Sequence, residues 1–105
     1  MREIEILKEC LGFQWDDGNI EKNQKAHHVS CTECEQVFFN KPLLLSEDVR
    51  HSQTENRYFV LGKTNEDRRM FLVFTLRENL IRVISARDMS KKEKQIYAQE
   101  ETAYV

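Results

Sequence analysis

The most restrictive feature of this sequence is the run Met70–Phe74, which is apolar at every position. A short, continuous apolar run is typical of a strand that is covered on both faces. Candidate strands stand on either side of it, at Arg57–Lys63 and Leu80–Arg87. Turn-forming residues separate the strands at Asn65–Asp67 and Glu78–Asn79. The sequence therefore predicts an antiparallel meander of at least three strands.

Alternation along the third candidate strand divides its side chains between the two faces of the predicted sheet. We predict that one face carries Ile81, Val83, Ser85 and Arg87 and that the other carries Arg82, Ile84 and Ala86. On this assignment Arg87 closes the strand on the Ser85 face, where a solvated charge paired with Asp88 is the alternative to a ligand contact. Arg82, on the opposite face, is expected to support the first helices or to form an ion pair.

Helical and strand signals precede the meander. The apolar residues within 2–12 approach helical spacing. Phe13–Trp15 is a candidate short strand, and Asp16 or Asp17 caps a polar helix over about Asn19–His27.

Two capping boxes mark further helix starts, because a Ser side chain and a Glu three residues later satisfy each other's exposed amides. The box at 30–33 opens a helix that ends near Phe38 and turns Cys34 toward the core. The box at 90–93 opens a helix that ends near Gln99.

Length and composition fit one domain. The chain has 105 residues, of which 40% are hydrophobic and 32% charged, with only 3 Gly and 1 Pro. This excludes collagen-like, low-complexity and disordered chains. We predict a single α+β domain over 1–105 with short N-terminal helices, an antiparallel sheet of three or more strands and a C-terminal helix. Residues 1–12 would form an extension and 100–105 a frayed tail.

The sequence also bears on compartment. It lacks a long apolar run and an apolar N-terminal core, which predicts a cytoplasmic protein with no membrane span and no export signal. Three cysteines in such a chain make a disulfide framework an unfavoured arrangement.

Charge is distributed unevenly. Residues 50–94 carry 11 Lys and Arg against 6 Asp and Glu, whereas residues 1–49 carry 5 against 10. A basic second half could face a phosphate backbone. A mixed, solvated surface is the commoner alternative.

Two residue pairs resemble metal or redox motifs. Cys31 and Cys34 have CxxC spacing, but zinc needs two more ligands and a thioredoxin-like motif needs a βαβ context. His27 and His28 are adjacent, and adjacent helical side chains point about 100° apart. We therefore expect neither a metal site nor another cofactor.

The segment 51–57 has the residue types that acid–base chemistry on a phosphate requires. His51 can transfer a proton near neutral pH, Glu55 supplies a carboxylate, and Arg57 presents a planar fork. RNA cleavage without a metal needs a base for the 2′-hydroxyl, cations for the pentavalent phosphate and an acid for the leaving oxygen. The alternative is a polar loop with one ion pair.

The first turn of the predicted C-terminal helix is basic, with Lys91, Lys92 and Lys94. The helix dipole disfavours cations there. These lysines could serve a phosphate or a partner, although a solvated helix face is the commoner explanation.

Several ordered motifs resemble the BrnT toxin family. The matching segments, in chain order, are Phe13–Asp16, Asn23, His27–Ser30, Cys34–Leu43, His51–Tyr58, Leu61–Thr64, Ile81–Ser90, Glu93 and Tyr97. The resemblance covers about Phe13–Tyr97, which is most of the chain.

This resemblance implies a RelE-like fold and the toxin of a type II toxin–antitoxin pair. The implied activity is metal-independent cleavage of RNA. The implied partner is a BrnA-like antitoxin with a ribbon-helix-helix segment, so that operator DNA is bound only through the antitoxin.

The family's polar positions fall on residues that the chain retains. As catalytic candidates we take His51, Glu55, Arg57, Arg87 and His27. His51 or Glu55 would be the base or acid, Arg57 and Arg87 would hold the phosphate, and His27 would be a second proton-transfer group. As further RNA contacts we take Lys25, Arg82, Lys91 and Lys92.

Two positions depart from the family pattern. Ala26 stands where members often have Lys or Arg, and His28 stands where a glycine often follows the histidine. If the missing cation contacts phosphate, this chain is a slow or inactive nuclease. The alternative function is then a toxin-fold module that binds an antitoxin or takes part in transcriptional autoregulation.

Overall fold

The computed structural model describes residues 5–20, 27–48 and 55–104. Its elements, in chain order, are α1 (Glu5–Lys8), β1 (Gly12–Phe13), α2 (Cys31–Phe39), β2 (Leu44–Glu47), β3 (Arg57–Lys63), β4 (Arg69–Arg77), β5 (Leu80–Asp88) and α3 (Lys91–Tyr104). Residues 17–20 are also helical, within the predicted polar helix. Short helices, a sheet and a C-terminal helix follow one another as predicted, which confirms the α+β class.

The strands form one sheet in the order β1-β5-β4-β3-β2. The meander from β2 to β5 is antiparallel, as predicted. β1 instead pairs in parallel with β5, with Gly12 opposite Leu80 and Phe13 opposite Ile81. The sheet is therefore mixed, because a parallel strand of two residues leaves no pattern from which its direction could be predicted.

The turn between β4 and β5 was placed correctly. Arg77 pairs with Leu80, so Glu78 and Asn79 form a two-residue loop. Both have positive φ, 53° and 65°, which is the signature of the type I′ turn that suits twisted hairpins.

One face of the sheet, here called the core face, is fully covered. Val60 on β3 is opposite Leu72 on β4, and Leu72 is opposite Ala86 on β5. All three are completely buried. α2 packs so closely on this face that a Cβ atom at Gly62 would lie 2.7 Å from Cγ1 of Val37. Only glycine fits at this crossing of helix and strand.

The opposite face is here called the open face. Among the described residues it is covered at one end by α3, Thr75 is buried near the other end, and the residues between are half-buried. At the α3 end, this helix and the turn before it form a second apolar cluster of Leu61, Met89 and Tyr97, with Phe71 packed against it. Phe71 and Val73 are only half-buried. The prediction that Met70–Phe74 is covered on both faces was therefore wrong for the residues that point to the open face.

Both capping boxes are formed. At the start of α2, the Ser30 amide donates to Glu33 Oε1 at 3.1 Å and the Glu33 amide donates to Ser30 Oγ at 3.1 Å. At the start of α3, the reciprocal bonds between Ser90 and Glu93 are 2.8 and 3.2 Å. The predicted starts of these two helices are confirmed.

The outer limits of the helices differ from the prediction. α1 ends at Lys8 instead of near Gly12. α3 continues past Gln99 to Tyr104, because Glu101 accepts hydrogen bonds from Lys63 at 3.1 Å and from Arg69. These contacts fasten the last turns of α3 to the sheet, so the prediction of a frayed tail from residue 100 was wrong up to 104. No helix in the described ranges is long and apolar enough to span a membrane.

Candidate nucleic-acid interface

Three of the predicted cations share the open face. Arg57 on β3 is opposite Thr75 on β4, and Thr75 is opposite Arg82 on β5. Four residues before Thr75, Phe71 is opposite Arg87. Directly opposed residues of antiparallel strands point to the same side of a sheet. Arg57, Arg82 and Arg87 therefore project from the face that α2 does not cover.

A bulge in β5 explains why the sequence pattern misplaced one of them. The register with β4 shifts at Ile84. Val83 and Ala86 are consequently both buried in the core, although strict alternation would put them on opposite faces. The same shift brings Arg82 to the face of Arg87. The prediction that these two arginines lie on opposite faces was wrong, because alternation cannot reveal an extra residue.

Arg87 is held in a fixed orientation at the end of β5. Its two terminal nitrogens donate to the two carboxylate oxygens of Glu93 at 2.8 and 3.0 Å, and Nη1 also donates to the Asp88 carbonyl at 3.0 Å. Its guanidinium carbon lies 4.1 Å from the ring centroid of Phe71, which is a cation–π contact. The hydrogen bonds from Arg87 hold the pKa of Glu93 below its usual range. The Arg87 side chain is still 36% exposed, so a phosphate could reach it by displacing Glu93.

Arg82 joins β5 to the segment that follows β1. Its Nη1 donates to Asp16 Oδ2 at 2.7 Å, and this bond is the main reason why the pKa of Asp16 is lowered. The Asn19 side chain continues the link by donating to the Val83 carbonyl at 3.2 Å. Only 18% of the Arg82 side chain is exposed. The ion pair expected for Arg82 is confirmed.

Glu55 and Arg57 lie at the other end of the sheet from Arg87. Their positions along β4 differ by the four residues from Thr75 to Phe71, which is about 13 Å of extended strand. Glu55 accepts a hydrogen bond from Arg77 Nε at 3.3 Å, so the predicted loop does contain an ion pair. Arg57 is half-buried at the start of β3.

Other predicted site residues divide between described and undescribed parts of the chain. His51 and Lys25 lie outside the described residues, as do Asn23 and Ala26. Lys91 and Lys92 are exposed in the first turn of α3, two or fewer residues from Glu93 and therefore at the Arg87 end of the sheet.

His27 is exposed and lies at the same end. Its charge is one of the smaller influences that lower the pKa of Asp88, after the hydrogen bonds from Arg68. The two described candidates for proton transfer, Glu55 and His27, therefore lie at opposite ends of the strands.

Arg68 is the residue that sequence reasoning missed. Its Nε and Nη2 donate to the two carboxylate oxygens of Asp88 at 2.7 and 3.1 Å, and Nη1 donates to Glu33 Oε2 at 3.0 Å. The remaining donors bind the His27 and His28 carbonyls, each at 3.1 Å. All five guanidinium hydrogens are thereby used. Arg68 holds the chain that carries His27 against the ends of α2 and β5.

The partners of Arg68 are far away in the sequence, 20 residues for Asp88 and 35 for Glu33. Helical or strand periodicity cannot reveal such contacts. One signal in the sequence points to such contacts. Arg68 and Arg69 stand directly before an apolar strand, where charged side chains are expected to be paired.

The backbone conformation at His28 explains why glycine suits this position, where the chain departs from the family pattern. His28 has φ of 54°, in the left-handed region. It follows the last helical residue of its segment, His27, and is the position at which helices often end with glycine. A side chain here adds strain, and the hydrogen bond from Arg68 to the His28 carbonyl helps to hold the conformation.

The cysteine pair has a structural role. Cys34 is completely buried in the main core, as predicted, and burial raises the pKa of its thiol to about 12. A thiol in this state is a poor metal ligand and a poor nucleophile. Within 5–20, 27–48 and 55–104, no group of three or more His, Cys, Asp or Glu side chains could hold a metal ion.

A mixed sheet with α2 on one face and three arginines on the other defines a small α+β domain. Residues 15–93 match the family model described as the ribonuclease toxin BrnT of type II toxin–antitoxin systems. The chain therefore belongs to this family of ribonuclease toxins, and the family implies RNA as the target and an antitoxin as the partner. Among curated proteins, none matches the chain significantly.

Proposed function

We propose that this protein cleaves RNA on the open face of its sheet, by a mechanism that needs no metal ion. The observation that carries the proposal is the common placement of Arg57, Arg82 and Arg87 on the sheet face opposite to α2. A phosphodiester backbone is bound by cations that lie together on an exposed surface.

The chemistry follows from the residue types. A base removes the proton of a ribose 2′-hydroxyl, and the 2′-oxygen attacks the adjacent phosphorus. The bond to the 5′-oxygen of the next nucleotide breaks, and an acid protonates that oxygen as it leaves. The products are a 2′,3′-cyclic phosphate and a 5′-hydroxyl. Fixed cations stabilise the extra negative charge of the pentavalent phosphate.

We assign Arg57 and Arg87 to phosphates of the RNA backbone, and because they lie about 13 Å apart along the strands, they contact different phosphates. His51 or Glu55 acts as base or acid, and His27 is the second proton-transfer group. Lys25, Arg82, Lys91 and Lys92 make further contacts with RNA. Because Arg82 is already tied to Asp16 and mostly buried, we expect it to contribute less than Arg87.

The partner that we propose is a BrnA-like antitoxin with a ribbon-helix-helix segment. Neutralisation would occur in a cytoplasmic complex of the two proteins, which would bind operator DNA through the antitoxin alone. The fold would accordingly be of the RelE-like type.

The second candidate function is a toxin-fold module with weak or no nuclease activity, and Ala26 favours it. Expression without the antitoxin separates the two functions. Growth arrest that requires Arg87 supports a nuclease, whereas normal growth supports a binding module. In the second case, Ala26→Lys is the first substitution that should restore arrest.

The test of the nuclease is incubation of the purified protein with bulk RNA in excess EDTA. We expect cleavage by the wild type, and a loss of at least about tenfold for Arg87→Ala, because one charge-assisted contact to the transition state is removed. Lys8→Ala is the matched control, since Lys8 is an exposed cation on α1, whose Leu7 packs against the main core. Equal rates for Arg87→Ala and wild type would remove Arg87 from the site, and cleavage abolished by EDTA would refute metal independence.

The same assay tests the histidines. A histidine acid or base makes the rate depend on pH between about 5 and 8. We expect His51→Ala and His27→Ala to flatten that dependence. A profile already flat in the wild type would leave Glu55 as the remaining proton-transfer candidate.

A further inference from the structure

We infer that Phe59 is a base-stacking residue, and that the open face takes single-stranded RNA with one unpaired base lying against its ring. This inference rests on the proposed function and specifies the form of RNA that the site accepts. Its physical basis is the arrangement of side chains around Phe59.

Phe59 stands in a row of smaller side chains that crosses the sheet. Ser46 on β2 is opposite Phe59, Phe59 is opposite Val73 on β4, and Val73 is opposite Ser85 on β5. Ser46 is exposed, and the other three are half-buried. Phe59 is therefore the one large aromatic side chain in this row, and part of its surface is exposed.

The neighbouring row shows that the fold can cover such side chains when it needs to. Leu61, two residues further along β3, is buried by Met89 and Tyr97 from the α3 region. That cover stops before Phe59. Phe71 reaches Phe59 from this covered row, with ring centroids 5.7 Å apart and an angle of 31° between the planes. Phe59 is thus supported by Phe71 and, among the described residues, remains only half-buried.

Cations stand on both sides of the ring. Arg57 lies two residues before Phe59 on the same strand and the same face. On the other side, Arg87 rests on the Phe71 ring. A base stacked on Phe59 would therefore have its flanking phosphates directed toward these two arginines. This charge pattern favours a nucleotide over a neutral apolar partner.

The combination fits single strands better than duplexes. Unstacked bases lie on aromatic rings of an open sheet, while flanking cations follow the backbone. A paired base in a duplex has no free face to offer. We therefore expect cleavage and binding to favour single-stranded RNA or loops.

The test compares a polyanion that carries bases with one that carries none. The probes are a short single-stranded oligoribonucleotide with 2′-O-methyl groups, which resists cleavage through the 2′-hydroxyl, and inorganic polyphosphate. Phe59→Leu keeps an apolar side chain of similar burial and removes the aromatic face. Phe59→Tyr keeps the face. Phe39→Leu is the matched control, because Phe39 is 77% exposed on α2, away from the open face.

We expect Phe59→Leu to weaken RNA binding about tenfold and to leave polyphosphate binding unchanged. Phe59→Tyr and Phe39→Leu should bind RNA near the wild-type affinity. Wild-type RNA affinity in Phe59→Leu would overturn the inference while the nuclease proposal stood on the Arg87 result. Equal losses for both polyanions would also overturn it, since the effect would then be one of charge or folding. No RNA binding by the wild type would defeat the inference and the proposed function together.

Discussion

The strands β3, β4 and β5 contribute side chains to both the core face and the open face, but the two faces differ in what covers them. On the core face, Leu72 and its neighbours are sealed by α2. On the open face, Val73 is only half-buried although it directly follows Leu72 in the same strand. The hydrophobic effect alone would cover both, since each buried apolar side chain stabilises a fold of this size. The difference in cover is what the proposed RNA contact on the open face would explain.

The comparison also shows what an all-apolar strand signifies. Met70–Phe74 predicts cover on both sides, and α3 provides it for Phe71 only in part. α3 covers one end of the open face and does not extend over the row that contains Phe59. A strand that is apolar at every position can therefore have one face packed in the core and another face that is only partly covered.

The largest expected effect sets the two faces directly against each other. Leu72→Ala removes a completely buried side chain and should destabilise the fold by about 2–5 kcal/mol, because it leaves a cavity. Val73→Ala, one residue away on the open face, should destabilise it by about 1 kcal/mol or less. Urea denaturation of both variants measures the difference.

Equal losses in that pair would show that the open face is as tightly packed as the core face. RNA binding by the same two variants gives a second readout. Val73 lies beside Phe59 on the open face, so Val73→Ala should weaken RNA binding. Leu72→Ala should leave RNA binding unchanged under conditions where the variant is folded.

The next effect separates arginines with structural and functional roles. Arg68→Lys loses the fork that binds Asp88 and Glu33 and should lower stability by about 1–2 kcal/mol, while cleavage by the folded protein changes little. Arg87→Lys should do the reverse, with a smaller loss of stability and a clear loss of cleavage. Thermal unfolding and the EDTA cleavage assay, run on both variants, provide the two readouts. Parallel behaviour of the pair would contradict this division.

A smaller effect comes from the backbone. His28 has a left-handed conformation that glycine adopts without strain. His28→Gly should raise the free energy of unfolding by about 0.5–1 kcal/mol. His27→Gly, in the adjacent helical position, is the control and should lower it by about 1 kcal/mol. If both substitutions destabilise the protein equally, the conformation at His28 is not the reason for the family's preference for glycine.

The smallest effect near neutral pH is the acid dependence of stability. Hydrogen bonds from Arg68 and Arg87 lower the pKa of Asp88 and Glu93, respectively, below their values in the unfolded chain. This stabilisation is complete above the unfolded values, about pH 4 to 4.5, and is lost as pH falls through the folded values. Denaturation midpoints should be level from neutrality down to about pH 5 and should fall below it. Glu93→Gln should make that fall shallower, and an unchanged slope would show that this pair contributes nothing.

Features with a local cause were predictable from the sequence. Each capping box is complete within four residues, and the Glu78–Asn79 turn is complete within its hairpin, so their spacing carries the information. The family motifs also single out Arg57 and Arg87, which share the open face.

Features with a non-local cause were not predictable. The bulge at Ile84 depends on how β5 meets β4, and a single misplaced residue reversed the side assigned to Arg82. The contacts of Arg68 join three distant segments, and the extension of α3 to Tyr104 depends on Glu101 reaching β3 and β4. The sequence predicts Phe59 only as part of a strand. Its exposure depends on where α3 ends on the sheet, which the strand pattern does not reveal.

The ion pair between Arg87 and Glu93 has a consequence for how binding responds to salt. Neutralising a DNA or RNA phosphate with a free cation releases condensed counterions, and affinity then falls steeply as salt rises. Arg87 already carries its own counterion in the carboxylate of Glu93. A phosphate that takes the fork exchanges one fixed anion for another and leaves Glu93 to recruit a cation from solution. The logarithmic salt slope of RNA binding will therefore be shallower than the number of arginines on the open face would suggest.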